Sequence, residues 1–200
     1  MNIQEKESKL KSLLLEYRKY IFLPLDEEEI NQVYNLYFNN IREDVISSNS
    51  SHYYGFYYHL QNDYDNMIKY YLKSIEKDNM YSMSNLGFYY KEKKDYDNMM
   101  KYYLMSIEKD NSIAMVHLGD YYKEQKNYDN MMKYYLMAIE KDNSYAPILL
   151  GDYYKEQKDN DNMMKYYLMA IEKGNSKALI ALGNYYREQK DYDNHLIMLS

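Results

Sequence analysis

The sequence predicts an all-α chain, an α-solenoid of antiparallel helix pairs, and three observations carry that prediction. Gly55, Gly87, Gly119, Gly151 and Gly183 recur at one interval of 32 residues. A fixed period of this size marks stacked repeats, each burying its apolar face against the next. Within each unit the apolar residues fall at helical spacing. Only two Pro and six Gly occur in 200 residues, which suits a mostly helical chain.

Each unit reads as two helices, A and B. In the second unit Met83, Leu86, Gly87 and Tyr90 share one face of helix A at i, i+3, i+4 and i+7. Met99, Met100, Tyr103, Leu104 and Ile107 are the expected apolar stripe of helix B. Asp95 is placed to cap helix B, with Asp63, Asn127, Asp159 and Asp191 in the matching positions. Asp97 follows in the first turn, where the helix dipole favours an anion. Asn111 or Ser112 is expected to cap the following helix A, with Ser144 and Ser176 repeating the signal. Pro147 falls in a first helical turn, where its missing N–H costs nothing.

These signals set repeats at about 49–79, 80–111, 112–143, 144–175 and an incomplete 176–200. The third and fourth are near copies: residues 119–144 and 151–176 differ only at positions 127/159, 128/160 and 142/174. Residues 1–48 read as a degenerate helical hairpin capping the array, with Pro24 between its helices and Asp26 at the start of the second. At the other end "HLIMLS" is apolar around a whole helix, where a solenoid end is normally polar outside; the expectation is either that the chain is a fragment of a longer array or that another chain covers this end, as in a homodimer through residues 195–200.

A glycine inside a helix costs about 1 kcal/mol against alanine. Its return in every unit implies a steric need, with a tyrosine packed over it. A Gly87→Leu change is therefore expected to harm the fold more than propensity alone predicts.

Composition narrows the function. There is no Cys, so disulfides, thiolate zinc sites and Cys nucleophiles drop out. The net charge of −6 argues against nucleic acid as a partner, and no run is long and apolar enough for a membrane span. The "DYDN" turns lack the glycine and glutamate that a calcium loop starting at Asp95 needs, since those places hold Met100 and Ser106. His52 and His59 share no third ligand, His117 and His195 are isolated, and no catalytic constellation is present. No cofactor or metal is expected, and the chain reads as no enzyme.

"LGDYYKEQKNYDNMMKYYLMAIE" resembles a tetratricopeptide repeat, and "IEKGNSKALIALGNYY" is similar to a Sel1-like repeat. The unit resembles a 32-residue hybrid of the two over residues 55–194. Two departures stand out. Met67, Met99, Met131 and Met163 occupy the family's first small site of helix B, and the helix-ending proline is missing. Ser74, Ser106, Ala138 and Ala170 keep the second small site. The resemblance implies a right-handed superhelix in which helix A lines a concave groove for a protein or peptide. The absence of the cysteine pairs of secreted Sel1-like proteins implies an intracellular, cytoplasmic chain. Its Tyr-, Asn- and Lys-rich wording resembles viral repeat arrays from large DNA viruses of amoebae, which would place it in host cytoplasm.

Helix B is nearly constant between copies, whereas helix A drifts. By the resemblance, three rows face the groove: Tyr81, Ile113, Tyr145 and Lys177; Ser84, Val116, Ile148 and Ile180; Phe88, Asp120, Asp152 and Asn184. Asp120 and Asp152 favour a basic or mixed-charge peptide. The expected function is a non-catalytic scaffold. The alternatives are a self-assembling module, or the interaction part of a longer enzyme.

Overall fold

The computed structural model of the chain describes residues 51–188, and these are all helix and short turn. In chain order the helices are α1 (Ser51–Leu60), α2 (Tyr64–Ile75), α3 (Met80–Glu92), α4 (Tyr96–Glu108), α5 (Ser112–Glu124), α6 (Tyr128–Glu140), α7 (Ala146–Glu156), α8 (Asn160–Glu172) and α9 (Ser176–Glu188). Odd-numbered helices are the expected A helices and even-numbered ones the B helices. The hairpin at 1–48 and the apolar run at 195–200 lie outside the described residues. Two compact units divide at residue 109: α1–α4 form the first and α5–α9 the second. In both, each helix packs on its sequence neighbours.

The helices start where the sequence places caps. The side chains of Asp63, Asp95, Asn127 and Asp159 each accept the N–H three residues on. The other oxygen of Asp95 takes the side-chain amide of Asn98 at 2.7 Å, so both carboxylate oxygens are used. The A helices differ from the expectation in one respect. Asn79, Asn111 and Asn175, not Ser176, stand before α3, α5 and α9 and accept a first-turn N–H, whereas α7 starts after Tyr145 without a capping side chain, and Asn143 rather than Ser144 accepts the N–H groups of Tyr145 and Ala146. The asparagine carbonyl oxygen stands one atom further from its own backbone than a serine hydroxyl, and from the preceding position it still reaches the first free N–H groups.

Every turn between helices contains one left-handed residue. The A–B turns use Asn62, Lys94, Lys126 and Lys158, and the B–A turns use Asp78, Asp110, Asp142 and Gly174. The residue after it closes the preceding helix and opens the next. Asp95 N–H, for example, donates to the Tyr90 carbonyl at 2.9 Å while its side chain caps α4. Two functions on one residue make a turn this short possible.

The buried stripe of helix B is rotated from the one expected. In α4 it is Met99, Tyr102, Tyr103 and Ser106, again at i, i+3, i+4 and i+7, while Leu104 is 39% exposed. Small residues fix this choice. Ser106 is buried, with its hydroxyl on the Met80 carbonyl at 2.7 Å, and Ala138 and Ala170 hold the same place with no exposure. Met67, Met99, Met131 and Met163 fill the other departure from the family pattern and are fully buried.

The repeated glycine has a direct steric cause. A Cβ on Gly87 would lie 2.6 Å from the Tyr103 ring, and one on Gly151 2.5 Å from the Tyr167 ring. Gly55 and Gly119 meet Tyr71 and Tyr135 in the same way. These four tyrosines are among the largest fully buried side chains. Beside each sits a second column. Tyr90 stacks on Tyr102, Tyr122 on Tyr134 and Tyr154 on Tyr166, at 5.5–5.6 Å and within 5° of parallel. Both tyrosines of each helix-B pair are therefore buried, and both of the A pair are half-buried. The two members of a pair point in different directions, yet a ring of helix A covers the outer one.

Candidate partner-binding face

The first row divides by position. Tyr81 and Ile113 are half-buried, Lys177 is exposed and Tyr145 is 38% exposed. The second row is largely closed. Ser84, Val116 and Ile148 are 5–6% exposed, against 66% for Ile180. Ile148 clusters with Ala178 and Leu182 of α9. Ile148 therefore serves the contact between α7 and α9, and the exposed member of this row is Ile180. In the third row Phe88, Asp120, Asp152 and Asn184 are all half-buried.

In the second unit, the glycine and the acid after it act together. Gly119 leaves room for the Tyr135 ring, whose hydroxyl donates to Asp120 Oδ1 at 2.6 Å. Gly151 does the same for Tyr167, which donates to Asp152 Oδ1 at 2.6 Å. Burial, then the Asp120 carboxylate, pushes the Tyr135 phenol far up. It stays a donor throughout the working pH range. Each carboxylate is thus fixed by a rigid, buried ring reaching it from helix B. The first unit is built differently. Phe56 and Phe88 follow their glycines, and the Tyr71 hydroxyl accepts instead from Asn85 at 3.2 Å.

Tyr145 stands near enough to both acids to feel their charge. Its phenol is pushed up by partial burial and then by Asp120 and Asp152. Lys177 Nζ stands 5.6 Å from the centre of its ring, a cation–π distance. On α9, Arg187 donates to Asn184 Oδ1 at 3.0 Å. Across α5, α7 and α9 the face therefore runs from two acids, past an aromatic ring, to Lys177 and an arginine-held amide. Sequence reading missed Tyr135, Tyr167 and Arg187. The available signal was an acid after the glycine with a tyrosine 15 residues further on, present at 120/135 and 152/167. Lys123 also joins Glu156 at 3.2 Å, at the far ends of α5 and α7.

Among the described residues no three His, Cys, Asp or Glu side chains gather as a metal site requires, and no helix is long and apolar enough to cross a membrane.

A family model for the tetratricopeptide repeat matches residues 54–78, 81–109, 113–145 and 148–172, together more than half of the chain. Among solved structures, the crystal structure of a Sel1 repeat protein from Oxalobacter formigenes aligns with a TM-score of 0.62 and 20% identity, over 95% of this chain and 77% of that one. At this identity the likeness concerns the fold. No curated protein sequence matches the chain.

Proposed function

Because the chain belongs to the tetratricopeptide-repeat family, whose repeats are scaffolds for protein–protein interaction, we propose that it is a non-catalytic scaffold binding a protein or peptide on the face lined by its A helices. The binding surface is carried by Ile113, Asp120, Tyr145, Asp152, Lys177 and Asn184. One observation supports this reading above the others: two tyrosine-anchored carboxylates stand near a partly exposed ring. Carboxylates held in place lose little side-chain freedom on binding, so a cation meets them at low entropic cost. The partner is a peptide with basic side chains over α5 and α7. An acidic or amide group follows, meeting Lys177 and Asn184.

Fluorescence anisotropy with labelled peptides tests this. A peptide with paired lysines should bind, weaken with added salt, and lose affinity about ten-fold or more for Asp120→Asn with Asp152→Asn. Asn keeps an acceptor for each tyrosine while removing the charge. Equal affinity for lysine and glutamate peptides would count against the reading.

A second reading, self-assembly, is favoured by the exposure of Ile180 together with the apolar residues 195–200. Light scattering on Ile197→Glu with Leu199→Glu checks it. A mass unchanged from that of the wild type refutes it.

A further inference from the structure

The contact between α1 and α3 contains one side chain unlike its counterparts. His52 stands where Ser84, Val116 and Ile148 stand in later units. It is 2% exposed. Its Nδ1 lies 2.7 Å from the Ser82 hydroxyl, thirty residues on and in the next A helix. Its Nε2 is buried without a hydrogen-bond partner. Among the described residues the rings beside it are Tyr53 on α1, Tyr71 on α2 and Tyr81 on α3, at 5.3, 5.9 and 6.4 Å. All are neutral. Tyr71 is burial-raised and so remains a phenol.

We propose that His52 is an acid-released clamp between the first two described helix pairs. The neutral ring completes the α1–α3 contact through Ser82, and the protonated ring opens it. The reasoning holds for either tautomer. An imidazolium carries two N–H groups. Among the described residues one can donate to Ser82 Oγ, while the other meets no acceptor and no carboxylate faces the ring. The closed state therefore excludes the proton, and acidification favours whichever state lets water reach Nε2.

Burial lowers the His52 pKa from 6.5 to about 4. The folded value is depressed, so the clamp is complete above 6.5 and weakens as pH falls from there toward 4. Between pH 7.5 and 5.0 the closing equilibrium should fall about thirty-fold. Burial also lowers His59, at the far end of α1, so a control must separate the two histidines.

Urea unfolding at pH 7.5 and 5.0 tests the clamp in the full chain. The wild type and His59→Gln should both lose midpoint at pH 5.0, and His52→Gln should lose clearly less. Equal losses in wild type and His52→Gln overturn the proposal. Should His52→Gln fail to fold, NMR titration of the wild type decides it. The His52 ring and the α3 amides should shift together with a midpoint near 4. A ring titrating near 6.5, or α3 amides that do not follow it, overturns the proposal.

Discussion

Replacing Gly151 by alanine opposes two effects of different sign. Gly151 lies inside α7, where helix propensity alone makes alanine more stable by about 1 kcal/mol. The new methyl, however, would sit 2.5 and 2.6 Å from Cδ1 and Cε1 of Tyr167, where ordinary contact begins at 3.4 Å. The ring must then withdraw by roughly 1 Å. Tyr167 is hemmed in by Ile148, Met163, Ala170, Ala178 and Leu182, and its hydroxyl is tied to Asp152 at 2.6 Å. A retreat of that size lengthens the bond beyond useful range. Overpacking of about 1–3 kcal/mol, together with about 1 kcal/mol for the hydrogen bond, outweighs the propensity gain. The expected net loss is about 1–3 kcal/mol. Urea denaturation followed by circular dichroism measures it. Tyr167→Leu in the same chain should relieve the clash, giving a coupling of about 1 kcal/mol or more in a double-mutant cycle. A Gly151→Ala protein as stable as the wild type, or more so, would refute the steric account.

The same assay checks three further predictions. Lys126→Gly, at φ 56°, should raise stability by about 0.5–1 kcal/mol, because a left-handed lysine carries strain that glycine does not; a lower midpoint contradicts it. Asn111→Ala removes the acceptor for the Ile113 N–H and should cost about 1 kcal/mol, whereas Ser144→Ala, at an expected but unused cap, should cost less. Tyr135→Phe should destabilise by about 1–2 kcal/mol by removing the donor to Asp120 and should also weaken a lysine peptide, since Asp120 loses its anchor. Loss of stability without loss of binding would separate fold from face.

The period, the helix pairs and most caps were legible because they repeat. Asp95, Asn127 and Asp159 state one local rule three times, and local rules depend little on what packs elsewhere. The glycine was legible for the same reason, and so was the need for a tyrosine over it, though not which tyrosine. The turns were less so. Glycine is the usual marker of a left-handed residue, but here only Gly174 takes a turn while the repeated glycines stand inside helices, and Lys94, Lys126 and Lys158 take the A–B turns. The helix-B stripe was misread because leucine outranks tyrosine in apolar character. Leu104 was placed inside, yet Tyr102 goes in, under the stacked ring of Tyr90. That ring belongs to a different helix, so spacing within α4 carries no trace of it. The face followed the same pattern. Asp120 and Asp152 were singled out by drift between copies. What holds them, Tyr135 and Tyr167, lies in the part that does not drift. Val116 and Ile148 drift too, but under the limit that a closed contact between helices allows.

One exposed ladder of ion pairs bears on how such a chain can change length. Lys141 reaches Asp110 at 2.6 Å and Lys173 reaches Asp142 at 2.7 Å, each across one repeat. Remove residues 119–150, and Gly151 takes the place of Gly119, with Tyr167 still sixteen residues behind it. Lys173 then stands where Lys141 stood, opposite Asp110. The glycine–tyrosine contact, the helix-B cap and this ion pair each keep an equivalent in register, so unequal recombination between the two near-identical copies yields a shorter protein with these joints intact. Gly174 marks the last rung: with no carboxylate at that place, a repeat inserted after it would begin a new ladder rather than prolong the old one.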